Sequence, residues 1–312
     1  MMRIAILGAT SQIAKDLVLS ISAQSNHDLA LFARRPEVVM NWLASVGLSG
    51  RYTVADFTAF SVDEFFDAVL NFVGVGNPAQ AAAMGASIFD VTAKFDELAL
   101  GYLRKNSACR YLFLSSGAVY GSTFDQPASI ATKASIAVND LKPQDWYGIA
   151  KLYAESRHRA YSDFSVVDIR VFNYFSRTQD IAARFLISDI VRSIKEKTVL
   201  KTSAENIIRD YLSPKDFFNI VSVVLSASPI NGAFDCYSKA PVEKFQLLSE
   251  FERLYGLTYE ISSTSPAINA TGAKAKYFSI DRRLSELGYI PFYTSLEGVC
   301  VEAAALLALG GR

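Results

Sequence analysis

Arg3-Ile4-Ala5-Ile6-Leu7-Gly8-Ala9-Thr10-Ser11-Gln12-Ile13-Ala14 follows two methionines, and its reading decides the fold. The apolar run predicts a buried strand over 3–7. The turn after it hands over to a helix over 13–23. A strand that passes through a glycine turn into a helix opens a dinucleotide-binding βαβ unit, in which small residues recur at three fixed positions. Gly8, Ser11 and Ala14 hold those positions here. Glycine allows the tight turn, and Ala14 is small enough for close helix–sheet packing. Ser11 places a Cβ and a hydroxyl where a pyrophosphate would approach. The N–H groups at a helix start attract an anion, so Gly8, Thr10, Ser11, Gln12 and Ile13 are the expected phosphate contacts.

Outward from this turn, short apolar runs predict strands over 28–33, 51–54, 68–72, 111–115 and 165–172. Helical patterns lie between them over 37–45, 79–106 and 147–161. Fully apolar strands alternating with helices predict an α/β protein, a Rossmann-type doubly wound parallel sheet covered on both faces. After about residue 172 the pattern loosens. Helices are expected over 181–197 and 216–227, a returning strand over 232–237, a loop over 262–276 and a closing helical region from 281. The expected division is a dinucleotide-binding domain of residues 1–172 plus about 213–240. A smaller mixed α/β substrate-binding domain takes 173–212 plus 241–312.

Composition narrows the function classes. The chain has 312 residues, 31 basic against 31 acidic, and 51% hydrophobic residues. Such a core excludes a disordered chain, and zero net charge gives no reason to expect nucleic acid or an anionic membrane as partner. Cys109, Cys236 and Cys300 are far apart, and His27 and His158 are the only histidines. No metal site, disulfide framework or Ser-His-Asp triad is expected. With no targeting segment and no apolar run long enough to span a membrane, a cytoplasmic protein is expected.

The second strand ends at Ala33-Arg34-Arg35. An acid there would bind a ribose 2′-hydroxyl, whereas Arg34 and Arg35 suit a 2′-phosphate. The expectation is NADP(H), with NAD(H) the alternative. Asp56 and Phe57 are placed beside the adenine, and Val73 and Gly74 under the ribose and phosphates. Tyr147 and Lys151 stand four residues apart on one helix face. A phenol titrating near 10 needs a nearby ammonium to exchange protons at neutral pH. Upstream, a strand ends at Ser115-Ser116, at the carboxyl edge where ligands bind.

This order of motifs resembles that of the extended short-chain dehydrogenase/reductases, in the nucleotide-sugar epimerase/dehydratase/reductase group, and the resemblance covers nearly the whole chain. It implies that Ser116 partners the substrate oxygen, Tyr147 is the acid/base and Lys151 its activator and a cofactor contact. Gly117 and Tyr120 would line the sugar pocket. Arg170-Val171-Phe172-Asn173 and Arg209-Asp210-Tyr211 are similar to family stretches whose counterparts hold the nucleotide-sugar, through Asn173 and Arg209 here. Leu287-Gly288-Tyr289 resembles the closing segment. A homodimer through the helices over 79–106 and 147–161 is implied as well.

Dehydratases of the group carry an Asp-Glu pair after the catalytic hydroxyl residue. Gly117-Ala118 stands there instead, which disfavours water elimination. The leading expectation is an NADPH-dependent ketoreductase of a nucleotide-activated 4-keto-6-deoxyhexose. The alternatives are an NAD-dependent nucleotide-sugar 4-epimerase and a non-catalytic dinucleotide sensor. His158, Tyr153 and Tyr161 are expected to pack or to be solvated. Asn269-Ala270-Thr271 matches a glycosylation acceptor, without meaning in a cytoplasmic protein.

Overall fold

The computed structural model describes residues 1–75, 78–122, 124–262 and 274–308. The glycosylation match at 269–271 lies outside them. The first half runs β1 (Arg3–Leu7), α1 (Gln12–Gln24), β2 (Asp28–Phe32), α2 (Pro36–Ser45), β3 (Thr53–Ala55) and β4 (Ala68–Asn71). It continues with α3 (Pro78–Met84), α4 (Ser87–Lys105), β5 (Arg110–Ser116), α5 (Pro143–Ala160) and β6 (Val166–Val171). Each strand expected in this half is present, within two residues at either end. The expected helix over 79–106 is two helices. Gly85, at φ +57°, breaks it, since that left-handed backbone cannot continue an α-helix.

The later elements are α6 (Leu186–Glu196), α7 (Pro214–Ser226), β7 (Gly232–Asp235), α8 (Lys244–Tyr255) and α9 (Ser295–Ala308). Seven parallel strands form one sheet in the order β7-β6-β5-β4-β1-β2-β3. The strand order reverses direction between β1 and β4, and ligands of such sheets bind where their carboxyl ends diverge.

Alternation along β1 explains why both faces are covered. Ile4 and Ile6 point to one side and join Leu17 and Val18 of α1 with Ile220 and Val224 of α7. Ala5 and Leu7 point to the other and join Leu100 and Leu103 of α4 and Ala154 of α5. A third cluster lies apart from the sheet, where Ile190 of α6, Leu248 and Phe251 of α8 and Val299 of α9 pack together. Around it run short strand pairs. Asn173–Tyr174 lies parallel to Tyr211–Leu212, and Ile208–Arg209 is flanked by Val242–Glu243 and Lys276–Tyr277. No helix among the described residues is long and apolar enough to cross a membrane, and no group of acidic, His or Cys side chains among them could hold a metal.

Candidate active site

The turn after β1 is built around one residue that cannot carry a side chain. Gly8 has φ +84°, and a Cβ there would lie 2.8 Å from the Val73 amide nitrogen. Its own N–H donates to the Phe32 carbonyl at 2.8 Å. The ends of β1, β2 and β4 therefore meet at Gly8. Ser11 caps α1 in extended geometry, yet its side chain makes no capping bond. The orphan N–H groups of that helix start remain oriented for an anion. Thr10 is exposed, Gln12 donates to the Ser176 hydroxyl at 2.9 Å, and Ile13 packs on the core.

At the end of β2, Ala33 is buried while Arg34 and Arg35 are exposed. Asp56 directly follows β3. Its carboxylate accepts from the Thr58 amide at 2.7 Å and hydroxyl at 2.5 Å, capping a 3-10 turn over Phe57–Ala59, and these bonds hold it below the usual carboxylate range. Phe57 packs on Phe95, with ring centroids 4.4 Å apart.

The floor of the cleft is made by β4 and α5. The Val73 amide donates to the Asn71 side chain at 3.0 Å. A Cβ on Gly74 would come 3.7 Å from the Lys151 ammonium, so this backbone lies directly over the lysine. Lys151 is only 4% exposed. Its ammonium donates to the Leu114 carbonyl at 2.7 Å and sits 4.2 Å from the centre of the Phe113 ring. Burial pulls it down to about 8, against the fields of Asp96, Glu155 and Asp168. Gly8, the uncapped start of α1 and Gly74 over Lys151 together make a cradle that fits a nicotinamide dinucleotide.

Ser116, Tyr147 and Lys151 are brought together. Ser116 ends β5 and caps the 3-10 turn Gly117–Tyr120, its hydroxyl accepting from the Ala118 amide at 3.2 Å. Tyr147 shares a hydrogen bond with Ser116; burial raises the phenol and that bond partly offsets it. Two glycines allow the approach. A Cβ at Gly148 would lie 2.5 Å from the Ala118 carbonyl, and one at Gly117 would run into the Phe172 ring. Gly148, unremarked in the sequence, is what lets α5 dock on the serine turn.

The substrate side mixes expected and unexpected residues. Tyr120 is buried. Its hydroxyl donates to Asp235 at 2.9 Å and accepts from Arg170 at 2.7 Å. Arg170 also grips Glu155, which takes the Ser115 hydroxyl at 2.5 Å. Asn173 donates to the Asp210 carbonyl at 3.2 Å, and buried Arg209 donates to the Ile208 carbonyl at 2.9 Å. Asp210 accepts from the Ser295 hydroxyl and the Ser238 amide, and Asp216 from the Phe292 amide.

Two residues here escaped sequence reasoning. The Tyr277 hydroxyl lies 3.4 Å from that of Ser116, across 161 positions of chain. Lys274 is 8% exposed, its ammonium 4.4 Å from the centre of the Tyr277 ring and 5.0 Å from that of Phe124. Burial and the neighbouring Arg209 push it down to about 8. No local pattern marks either residue, because a two-residue strand beside Arg209 is what carries Tyr277 in.

A family model described as the NAD dependent epimerase/dehydratase family matches residues 4–236. No curated protein matches the sequence. Among solved structures, the chain resembles a UDP-glucuronic acid 4-epimerase from Bacillus cereus in complex with UDP-glucuronic acid and NAD. The identity is 15%, the TM-score 0.77, and the match covers 99% of this chain and 100% of that one. It resembles a UDP-glucose 4-epimerase with UDP-glucose from Thermotoga maritima at 16% identity and TM-score 0.76, covering 99% of each chain. A dTDP-glucose 4,6-dehydratase from Bacillus anthracis in complex with NAD is similar at 15% identity and TM-score 0.77, covering 100% and 98%. Two of these three structures hold NAD, and the NADP(H) preference expected from Arg34 and Arg35 gains no support from them.

Proposed function

The chain belongs to the NAD-dependent epimerase/dehydratase family, and from that premise we propose that it is a ketoreductase of a nucleotide-activated 4-keto-6-deoxyhexose, working with NADP(H). One observation carries the reductase over the epimerase: Arg34 and Arg35 stand exposed at the end of β2, where an acid would favour NAD. Ser116, Tyr147 and Lys151 converge under Gly74, as either reading requires, while Gly117-Ala118 offers no acid for eliminating water. A nicotinamide dinucleotide bound in the Gly8–Gly74 cradle would supply the hydride. Ser116 holds the substrate oxygen by a hydrogen bond and so fixes the carbonyl carbon below it. Tyr147, kept as a phenol by burial, gives its proton to that oxygen as charge develops there. Lys151 steadies the phenolate left behind.

Asn173 and Arg209 are assigned to the nucleotide-sugar, and Lys274 adds a second cation beside Arg209 for the diphosphate. The protein is proposed to act as a homodimer through α4 and α5, where Tyr153 is 53% exposed. The test is a calorimetric titration of NADPH against NADH, on protein first checked for bound nucleotide. An empty site that prefers NADPH supports the reductase, and NADH binding equally well counts against it.

A second reading, a nucleotide-sugar 4-epimerase with NAD, is favoured by the solved 4-epimerases of the same fold. Stoichiometric NAD carried through purification, with turnover that needs no added cofactor, would select it.

A further inference from the structure

Beneath Lys151 lies a charged cluster to which the chemistry above gives no task. His158 is on α5, two helical turns after Lys151, and is fully buried. Its Nδ1 lies 2.6 Å from a carboxylate oxygen of Asp168 on β6, and its Nε2 lies 2.6 Å from one of Asp96 on α4. Both carboxylates are themselves fully buried. A neutral imidazole has one N–H and one lone pair, so it can satisfy only one carboxylate and must set its lone pair against the other. Bonds to both require both nitrogens to be protonated. The geometry therefore calls for an imidazolium.

Among the described residues, the other charges around the ring have partners. Arg157 donates to Asp96 at 2.8 Å and Arg159 to Asp168 at 2.9 Å, both from α5. Glu97 of α4 pairs with Arg157. Tyr111 of β5 donates to Asp96 at 3.1 Å and accepts from Asn71 of β4 at 2.9 Å. Glu155 of α5 is held by Arg170 of β6. The cluster reaches Lys151 by contact as well as by field. The His158 ring meets the Phe113 ring nearly at right angles, with centroids 5.2 Å apart, and Phe113 is the ring on which the Lys151 ammonium sits.

We propose that His158, clamped as an imidazolium between Asp96 and Asp168, is a positioning residue for Lys151: it holds Phe113 under the ammonium and sets the net charge of the cluster beneath it. With His158 charged, three cations face Asp96 and Asp168, and the cluster leaves Lys151 free to titrate low. With the ring neutral, one positive charge is lost and the two carboxylates draw a proton onto Lys151 more strongly. The directions agree. Burial lowers His158, but its bonds to Asp168 and Asp96 outweigh this and push it up to about 9. Asp96, Glu155 and Asp168 each raise Lys151 against its burial. The proposal rests on reading Lys151 as the partner of Tyr147.

The test reads both groups directly, without substrate or turnover, so its outcome is separate from that of the reductase reading. The chain has two histidines, and long-range proton–nitrogen NMR spectra of the intact protein resolve them with little overlap. At pH 7.5 both ring nitrogens of His158 are expected to be protonated; a neutral ring there overturns the proposal, with no variant needed. In lysine-labelled protein, with Lys151 assigned by a Lys151→Met variant, the ammonium is expected to titrate at about 8. In His158→Gln it should titrate about half a pH unit or more higher, and in Asp96→Asn lower by a similar amount. A purely structural tie would lower the melting temperature of both variants and leave the Lys151 titration unmoved, and that result overturns the proposal.

Discussion

Tyr147 and Lys151 show how far single residues can be read in advance. Their spacing puts them on one helix face, and the structure places that face under Gly74 with Ser116 in reach. Burial draws the Lys151 ammonium down to about 8. A step that needs it charged loses rate as pH rises past that value, so kcat/KM of the free enzyme should fall above about pH 8. In Lys151→Arg, whose guanidinium stays charged, that limb should vanish from the profile, even if the rate is lower throughout. Gly8→Ala tests the turn. A methyl 2.8 Å from the Val73 amide, on a backbone at φ +84°, should destabilise the protein by more than about 2 kcal/mol. Dinucleotide binding should weaken more than tenfold, read by calorimetry beside a denaturant melt. Tyr277 and Lys274 lay beyond such reading. Nothing in Lys274-Ala275-Lys276-Tyr277 marks an active-site segment until Ile208–Arg209 pairs with it. Lys274→Ala is expected to weaken UDP or dTDP binding roughly tenfold, about what losing one charge-assisted contact costs, while leaving dinucleotide affinity unchanged.

Helix α5 is the element that joins stability to chemistry. It carries Tyr147 and Lys151 on the face toward the cleft, and His158 two turns later in the core between Asp96 and Asp168. The folded state binds the His158 proton more tightly than the unfolded chain does, about 9 against 6.5. Its contribution is therefore fully present below about pH 6.5 and is lost as pH rises through about 9. That difference is worth about 3 kcal/mol. The stability gap between the wild type and His158→Gln should be widest at pH 6 and should narrow by pH 10, measured by urea melts at both values. A gap that stays constant, or that widens toward pH 10, would mean that the folded protein does not hold the ring as an imidazolium. The strands were the most legible elements, since parallel strands buried on both faces read as unbroken apolar runs. Helix ends were less legible, because they depend on single turns. The break at Gly85 is one example; another is Pro143, which starts α5 several residues before Tyr147.

At the scale of the whole molecule, the sequence revealed the sheet and the side of it where chemistry gathers. The β1 run and the glycine turn follow local rules, and so does the position of Ser116 at a strand end. The substrate side is another matter. It is assembled from short strand pairs over 173–174, 208–212, 242–243 and 276–277, whose partners are set by tertiary packing. Cofactor choice stands between the two. Arg34 and Arg35 are exposed at the end of β2 and suit a 2′-phosphate, in a fold whose solved relatives are described with NAD. The measurement that meets the central claim most directly is turnover of a 4-keto-6-deoxy sugar nucleotide with NADPH, in wild type and in Tyr147→Phe. The account predicts one NADPH oxidised per sugar reduced, and at least a hundredfold lower rate in Tyr147→Phe. Sugar conversion with no net consumption of cofactor, or equal rates in the two proteins, would contradict it.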